Sequence, residues 1–269
     1  MNNQFRATFQ SAITELHPAK QTIVEDDKKQ RCKQWLSNIT NGFEKRKIFT
    51  LNFDLLLYWT LLQEINNEDG KVKLRDNFQD KEGDKCYFND SKGSKSLLFL
   101  HGALHLFHDN AGTFKVTYSN GHYLIESILG NIKNNSYPLC VINGTSEEKL
   151  NDISNNYYLS TCWKNITTIN GKLVTYGWSW SEHDKHLMDA ILNNNGIDII
   201  YIGCFGEGEY NAISQKIDKT FIEINRNSNS KKKQRKKKGE KSVEHPSERK
   251  IIYFDTSDVN PWEGNVESI

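Results

Sequence analysis

The stretch TLNFDLLLYW, residues 50–59, sets an amide and a carboxylate, Asn52 and Asp54, into an otherwise apolar run. The run reads as a buried strand passing directly into a helix. Polar groups at such a junction are either caps or members of a site. An aspartate at a helix start satisfies free backbone N–H groups and suits the positive end of the dipole. An amide such as Asn52 can hold water or hydroxyls without adding charge. Three more apolar runs end on polar groups: FLHGALHLF (99–107), YGWSWSEHD (176–184) and FIEIN (221–225). They carry His101, then Ser179 and Asp184, then Asn225. A neutral imidazole can take a proton from an attacking water. Gly102, directly after His101, lets backbone come close.

Other residues compete for attention. His101, His105 and His108 would share one face if the segment were a helix, which would suit a metal. His101 follows an apolar strand, however, and no HExxH or paired carboxylate completes a hydrolase, so no metal is expected. His183 and His186 flank Asp184 at a helix start and read as an exposed polar face. Trp178 and Trp180 could stack on adenine, although core packing is the ordinary role of aromatics beside a strand end.

The elements that must position these groups can be read from periodicity. Residues 3–46 carry apolar positions at helical spacing, around Phe9, Ile13 and Leu16 and then Cys32, Trp35, Leu36 and Ile39. They predict two helices broken at His17–Pro18. Strands are predicted at KIFTLNF (47–53), SLLFLHG (96–102), YPLCVIN (137–143), GKLVTYGWS (171–179), GIDIIYIGCFG (196–206), KTFIEIN (219–225) and RKIIYFD (249–255), with a hairpin around 112–121. Helices are predicted at 54–65, 144–153, 155–167, 182–195 and 209–217. In GTSEEKLNDI (144–153), Thr145 or Ser146 is the cap and Glu148 or Lys149 lies in the first turn. Near-continuous apolar strands alternating with helices argue for a largely parallel sheet with helices on both faces, in one α/β domain over 1–269. In such sheets ligands lie outside the carboxyl ends of the strands.

Two segments stand apart from the core, which covers about 10–225 and 249–256. Residues 66–95 are a polar excursion. Residues 226–248, including SNSKKKQRKKKGEKSVEHPSE (228–248), are a basic insertion expected as a mobile surface loop. Nucleic-acid contact is one reading of it. A solvated insertion is the plainer one, because no aromatics are interleaved for base stacking.

Composition sets wider bounds. The 269 residues carry a net charge of +1, so global charge names no partner. Mean hydropathy is −0.70, polar for a globular chain, yet 11% aromatic content can furnish a core. No run of about 18 apolar residues suggests a membrane span, and the N-terminus lacks a secretory layout, so a cytoplasmic setting is expected. Five cysteines without a C-x-x-C pair argue for reduced, buried thiols.

Several of these motifs carry a family likeness. TLNFD resembles the T-x-N-x-D strand end of sirtuin-like NAD-consuming domains. FLHG resembles the later element that holds their catalytic histidine, and YGWSWSEHDKHLMDAI their G-x-S-x-x-x-x-D strand-to-helix turn. The ordered set NFDLLLYW, FLHGALHLF, INGTSEEKL, YYL and LVTYGWSWSEHD is similar to a bacterial sirtuin-like group catalogued as a domain of unknown function, DUF4917. The likeness spans roughly 10–225. It implies a Rossmann-like NAD site in which His101 is the general base and Asn52 positions water and the nicotinamide ribose. It implies ligand-side roles for Thr50, Asp54, Gly102, Gly177, Ser179, Asp184 and, more loosely, Asn225. The implied activity is NAD hydrolysis to nicotinamide and ADP-ribose, in prokaryotic antiphage defence.

Three departures temper the likeness. The four-cysteine zinc module of sirtuin deacetylases is not encoded, so deacetylation is disfavoured. The family's opening strand and glycine-rich turn are expected to be missing: the chain begins after the point where they would lie, and Asn41-Gly42-Phe43 is a chance match. The basic insertion has no recognised counterpart. The alternative function is therefore a truncated, non-catalytic nucleotide-binding or assembly module, working as a homo-oligomer or beside a partner ATPase.

Overall fold

His17 and Pro18 separate the first two helices, as their sequence predicts. In the computed structural model, which describes residues 3–40, 47–62, 76–91, 97–117, 123–141, 144–237, 249–257 and 259–263, α1 spans Asn3–Leu16 and α2 spans Asp26–Ile39. Asp26 and Asp27 open α2, where the dipole favours negative charge. Its buried face is Cys32, Trp35 and Leu36, at the spacing of one helical stripe. The chain forms two compact units: residues 1–143, 151–163 and 261–269, and residues 144–150 and 164–260.

In the first unit, β1 (Ile48–Thr50) leads into α3 (Leu56–Leu62). Lys33 of α2 donates to the Leu61 carbonyl at 3.3 Å and satisfies the end of α3. The hairpin β2 (Phe78–Glu82) and β3 (Lys85–Phe88) follows, then β4 (Leu97–Phe99), β5 (Leu106–Asp109) and β6 (Gly112–Val116). β1 and β4 pair in parallel, Ile48 opposite Leu97 and Thr50 opposite Phe99. A four-stranded antiparallel sheet runs β2-β3-β6-β5. α4 (Leu124–Lys133) packs against this unit through Ile125, Ile128 and Ile132. The sequence reading assigns no element there, although that three-and-four spacing is helical.

α5 (Ser146–Asn155) and α6 (Tyr157–Thr167) follow. Tyr158 of α6 is fully buried in the first unit, and its hydroxyl accepts the Phe99 N–H at 3.1 Å. That bond serves a donor on β4 that β1 does not. In the second unit, β7 (Gly171–Thr175), α7 (Lys185–Asn193), β8 (Ile197–Cys204), α8 (Gly206–Lys237) and β9 (Lys250–Asp255) build a three-stranded parallel sheet ordered β7-β8-β9. Arg249 ties the layers of this unit: its guanidinium donates to the carbonyls of Leu192 (2.7 Å) and Asn194 at the end of α7 and of Ile197 (3.1 Å) at the start of β8.

The chain is thus mixed α/β, but the described residues hold three separate sheets where one largely parallel sheet was expected. The cause is local: two-residue connections at Gly83–Asp84 and Asn110–Ala111 can only join antiparallel strands. Of the hairpin expected around 112–121, residues 112–116 form the single strand β6, which pairs back with β5, and 118–121 lie outside the described residues. So do 66–75 and 92–95 of the polar excursion, whose remainder holds β2 and β3. YPLCVIN contributes only a bridge from Cys140 to Gly102, and Ile142 and Asn143 are outside the described residues. Asn41-Gly42-Phe43 is also outside them.

KTFIEIN is helix rather than strand. It continues α8, whose buried Ile213, Ile217 and Thr220 keep helical spacing, and that packing overrides the β-branched composition. The basic run is not a loop as far as Lys237, since α8 extends through it, and 238–248 lie outside the described residues. Lys, Arg and Gln are good helix formers, and elongation from an existing helix needs no new nucleus. Among the described residues no helix is long and apolar enough to cross a membrane.

Gly102 has φ +85°, and a Cβ there would lie 1.8 Å from the Leu139 carbonyl oxygen. Gly83 also has positive φ (+64°) but faces open space. Gly102→Ala is expected to destabilise the protein by about 3 kcal/mol or more, and Gly83→Ala by about 1 kcal/mol. Urea denaturation of the two variants, side by side, checks the difference.

Candidate functional site

The β1–β4 register brings two of the candidates to one strand edge. Asn52 and His101 each lie two residues beyond an aligned pair, Thr50 opposite Phe99. The connection continues past the strands: Leu100 donates to the Thr50 carbonyl at 3.0 Å, and Leu104 to that of Phe53 at 2.9 Å. The two strand ends therefore share one hydrogen-bonded turn region at the carboxyl edge of a parallel pair.

Local chemistry shapes each side. Thr50 Oγ1 accepts the Asn52 N–H at 3.1 Å, and Asp54 Oδ1 accepts the Leu56 N–H at 2.8 Å. Asp54 is thus the cap of α3. His17 adds a second cap: Nε2 accepts the Leu55 N–H at 2.9 Å, while Nδ1 lies 2.9 Å from the Pro18 carbonyl and carries the ring proton. Asn52 is exposed. His101 is buried, and its carbonyl accepts the Val141 N–H at 2.8 Å. Beside it, Gly102 bridges to Cys140, and Ala103 donates to the Leu139 carbonyl at 3.0 Å. The turn bearing His101 is consequently held by main-chain bonds on both sides.

Next to this edge lies a buried polar group of residues that sequence reading did not assemble. Phe99 meets the ring of His105 edge-on at 5.2 Å, and His105 stacks on Tyr58 at 4.5 Å. Lys115 pairs with Asp76 at 2.5 Å and sits 5.3 Å from the centre of the Tyr58 ring. Burial works against the Lys115 charge, but Asp76, with Tyr58 beside it, outweighs it and keeps the ammonium above the usual lysine range. His105 is fully buried, and both its ring nitrogens lack hydrogen-bond partners among the described residues. Burial first, and the Lys115 charge second, push its pKa down to about 3. It is therefore a neutral aromatic here, and it does not lie on a helix with His101 and His108. The signal for this group was absent from the sequence, because Asp76 and Lys115 are 39 residues apart.

The second unit holds the remaining candidates. Gly177 follows β7 with φ +65° and open space where a Cβ would be. The Ser179 carbonyl accepts Lys216 Nζ at 3.0 Å. Trp178 and Trp180 stack on each other at 4.3 Å, with Trp180 fully buried at φ +50°. Asp184 pairs with the buried Lys149 at 2.9 Å. Asn225 lies within α8, not at a strand end.

His186 is buried, contrary to the exposed face expected; His183 is the exposed member of the pair. The reason is a partner 40 residues away: Ser146 Oγ lies 2.9 Å from His186 Nδ1 and accepts the His186 N–H at 2.5 Å. One hydroxyl thus meets both the backbone and the ring of His186. Burial lowers the His186 pKa, with Asp184 opposing. At the start of α5, Thr145 and Glu148 form the expected capping box: Glu148 Oε2 accepts the Thr145 N–H at 2.7 Å, and Thr145 Oγ1 accepts the Glu148 N–H at 3.3 Å. All five cysteines are free thiols, and burial pushes Cys32 and Cys140 up to about 12, which keeps them unreactive.

The depressed His105 pKa has a defined consequence. The unfolded imidazole takes a proton near pH 6.5 and the folded one only near 3, so stability rises with pH across that window and falls on acidification. The loss is on the order of 5 kcal/mol if the folded state persists to its lower end. His105→Phe keeps the stack, removes two unsatisfied nitrogens and should flatten this acid limb while leaving stability at pH 7 equal or higher. Urea midpoints of both proteins from pH 7 to 4 test it; parallel profiles would show that His105 does not titrate on unfolding.

No curated protein matches the chain. Its residues 1–233 match a family described as Domain of unknown function (DUF4917). That match covers most of the 269 residues and takes in both strand-end groups described above, and the chain accordingly belongs to the DUF4917 family.

Proposed function

We propose that the chain is a sirtuin-like protein that binds NAD as substrate in a Rossmann-like manner and hydrolyses it to nicotinamide and ADP-ribose. One observation carries this reading: Asn52 and His101 stand at matched positions beyond the aligned ends of the parallel strands β1 and β4. The carboxyl edge of parallel strands is where open α/β sheets take nucleotides. The three parallel strands of the second unit end in the same kind of edge, with Gly177 after β7 and Gly206 after β8.

The chemistry asks little of an acid. Nicotinamide in NAD is already a cationic leaving group, so the C1′–N bond breaks with its electron pair going to the ring. A water oxygen forms the new bond to C1′, and its proton goes to the neutral His101 imidazole. Asn52 holds that water and the ribose hydroxyls. The main-chain bonds around His101 and Gly102 preorganise the base, so less reorganisation accompanies the reaction. In the cell this activity would deplete NAD in the cytoplasm during phage infection.

The second reading is a non-catalytic nucleotide-binding or assembly module, acting with further copies of itself or beside a partner ATPase. The observation favouring it is that His101 is only 4% exposed, while Thr50 and Asp54 already serve their own backbone.

Purified chain incubated with NAD separates the two. Nicotinamide release that falls at least about a hundredfold in both His101→Ala and Asn52→Ala is the expected result. NAD binding by calorimetry without release in the unaltered chain would favour the module. A lack of both binding and release would reject the hydrolase and the NAD-binding form of the module alike, leaving an assembly role.

A further inference from the structure

α8 does not stop where the second unit stops needing it. Its inward face is Ile213, Ile217 and Thr220, and Glu223 meets Lys185 of α7 at 3.4 Å. The helix then continues from residue 224 to Lys237, about 20 Å at the rise of an α-helix. Its end is a block of charge: Lys231, Lys232, Lys233, Arg235, Lys236 and Lys237, broken only by Gln234. No acidic residue occurs between Glu223 and Lys237, and no apolar one after Ile224.

We propose that this helical arm binds double-stranded nucleic acid through its phosphates. The argument begins with what the arm lacks. Cations three and four residues apart on a helix repel one another, and the sequence sets no acid among them. The helix dipole favours cations only in the last turn, so it does not account for a block two turns long. From residue 225 to Lys237 the helix carries no apolar residue with which to lie on a core. A dense polyanion is the partner that turns this repulsion into attraction.

Charge elsewhere sharpens the case. The six cations are part of 35 Lys and Arg, and the other 29 face 34 Asp and Glu, so the chain without the block carries a net of −5. A body of that sign repels phosphate, and the arm is where attraction is concentrated. Among polyanions, duplex nucleic acid fits best. An α-helix enters a major groove about 12 Å wide. An interfacial membrane helix needs an apolar face, and residues 225–237 offer none. Single strands are held by aromatic stacking, also missing here. Five of the six cations are lysines, which act as point charges on phosphates, so the phosphate term should dominate and binding should depend little on sequence. The inference stands apart from NAD chemistry.

The test is fluorescence anisotropy of a labelled duplex of about 20 base pairs with the full chain, titrated between about 25 and 100 mM salt. Six neutralised phosphates predict a slope of log affinity against log salt of about −5, equal for unrelated duplex sequences. A variant with all six cations changed to Gln keeps helix propensity, as circular dichroism would register, and should bind at least about a hundredfold more weakly. The proposal is overturned by no binding at the lowest salt, by a slope near −1, or by unchanged binding in the Gln variant. Tighter binding to single strands or to phosphatidylserine vesicles than to duplex would overturn it too.

Discussion

A single close approach, the backbone of Gly102 against the Leu139 carbonyl, constrains the turn after β4 in the first unit. It leaves no room for a side chain at 102 and joins the turn after β4 to the segment around Cys140. Because that turn carries His101, the direction in which the imidazole leaves the strand is set by main-chain geometry. The same turn closes against β1 through Leu100 and Leu104, so the segment holding Asn52 is tied to the one holding His101. Two three-residue strands are a slight platform. They hold because the Tyr158 hydroxyl serves β4 from outside the sheet and because Leu97, Leu98 and Phe99 are buried on both faces.

Polar groups tie each unit together, and they do so by different means: buried in the first, half-buried at Arg249 and exposed at Asp255 in the second. In the first, the Lys115–Asp76 pair and the unsatisfied His105 sit among Tyr58, Phe78 and Phe99. Removing one partner of such a pair would strand a charge, whereas the whole group could be exchanged for apolar residues at little loss. Its place next to the His101 turn fits a role in holding a particular arrangement more than one in raising stability. In the second unit, Arg249 gathers carbonyls from the end of α7 and the start of β8, and Asp255 accepts the Gly206 N–H at 3.2 Å. These bonds join neighbouring elements of the parallel sheet with few residues.

Much of the element order was legible. The break at His17–Pro18, the strand-to-helix passage at Thr50–Leu62, the capping box of Thr145 and Glu148, and the strands β7, β8 and β9 all follow from local rules of periodicity, capping and proline geometry. KTFIEIN was misread because β-branched residues favour strands only where a sheet receives them; here α7 and β8 receive a helix instead. α4 was missed although its Ile125, Ile128 and Ile132 carry the pattern. The candidate site was legible in part: the types at Asn52, Asp54 and His101 stand out against apolar runs, and Asp54 proved to be a cap with a clear partner.

By itself, then, the sequence determined where the chain turns, caps and changes period, and which polar residues interrupt its apolar runs. Those are decided by neighbours within a few positions, through backbone sterics and local hydrogen bonds. Only the tertiary structure decided which strands pair, that three sheets form among the described residues, that Asn52 and His101 share an edge, and that Ser146 finds His186 and Lys115 finds Asp76. The β1–β4 pairing and the two side-chain pairings join residues some 40 or more positions apart, whereas the hairpins β2–β3 and β5–β6 are local. The distant pairings depend on which buried surfaces fit and which buried charges find partners, and no local pattern in the chain encodes either.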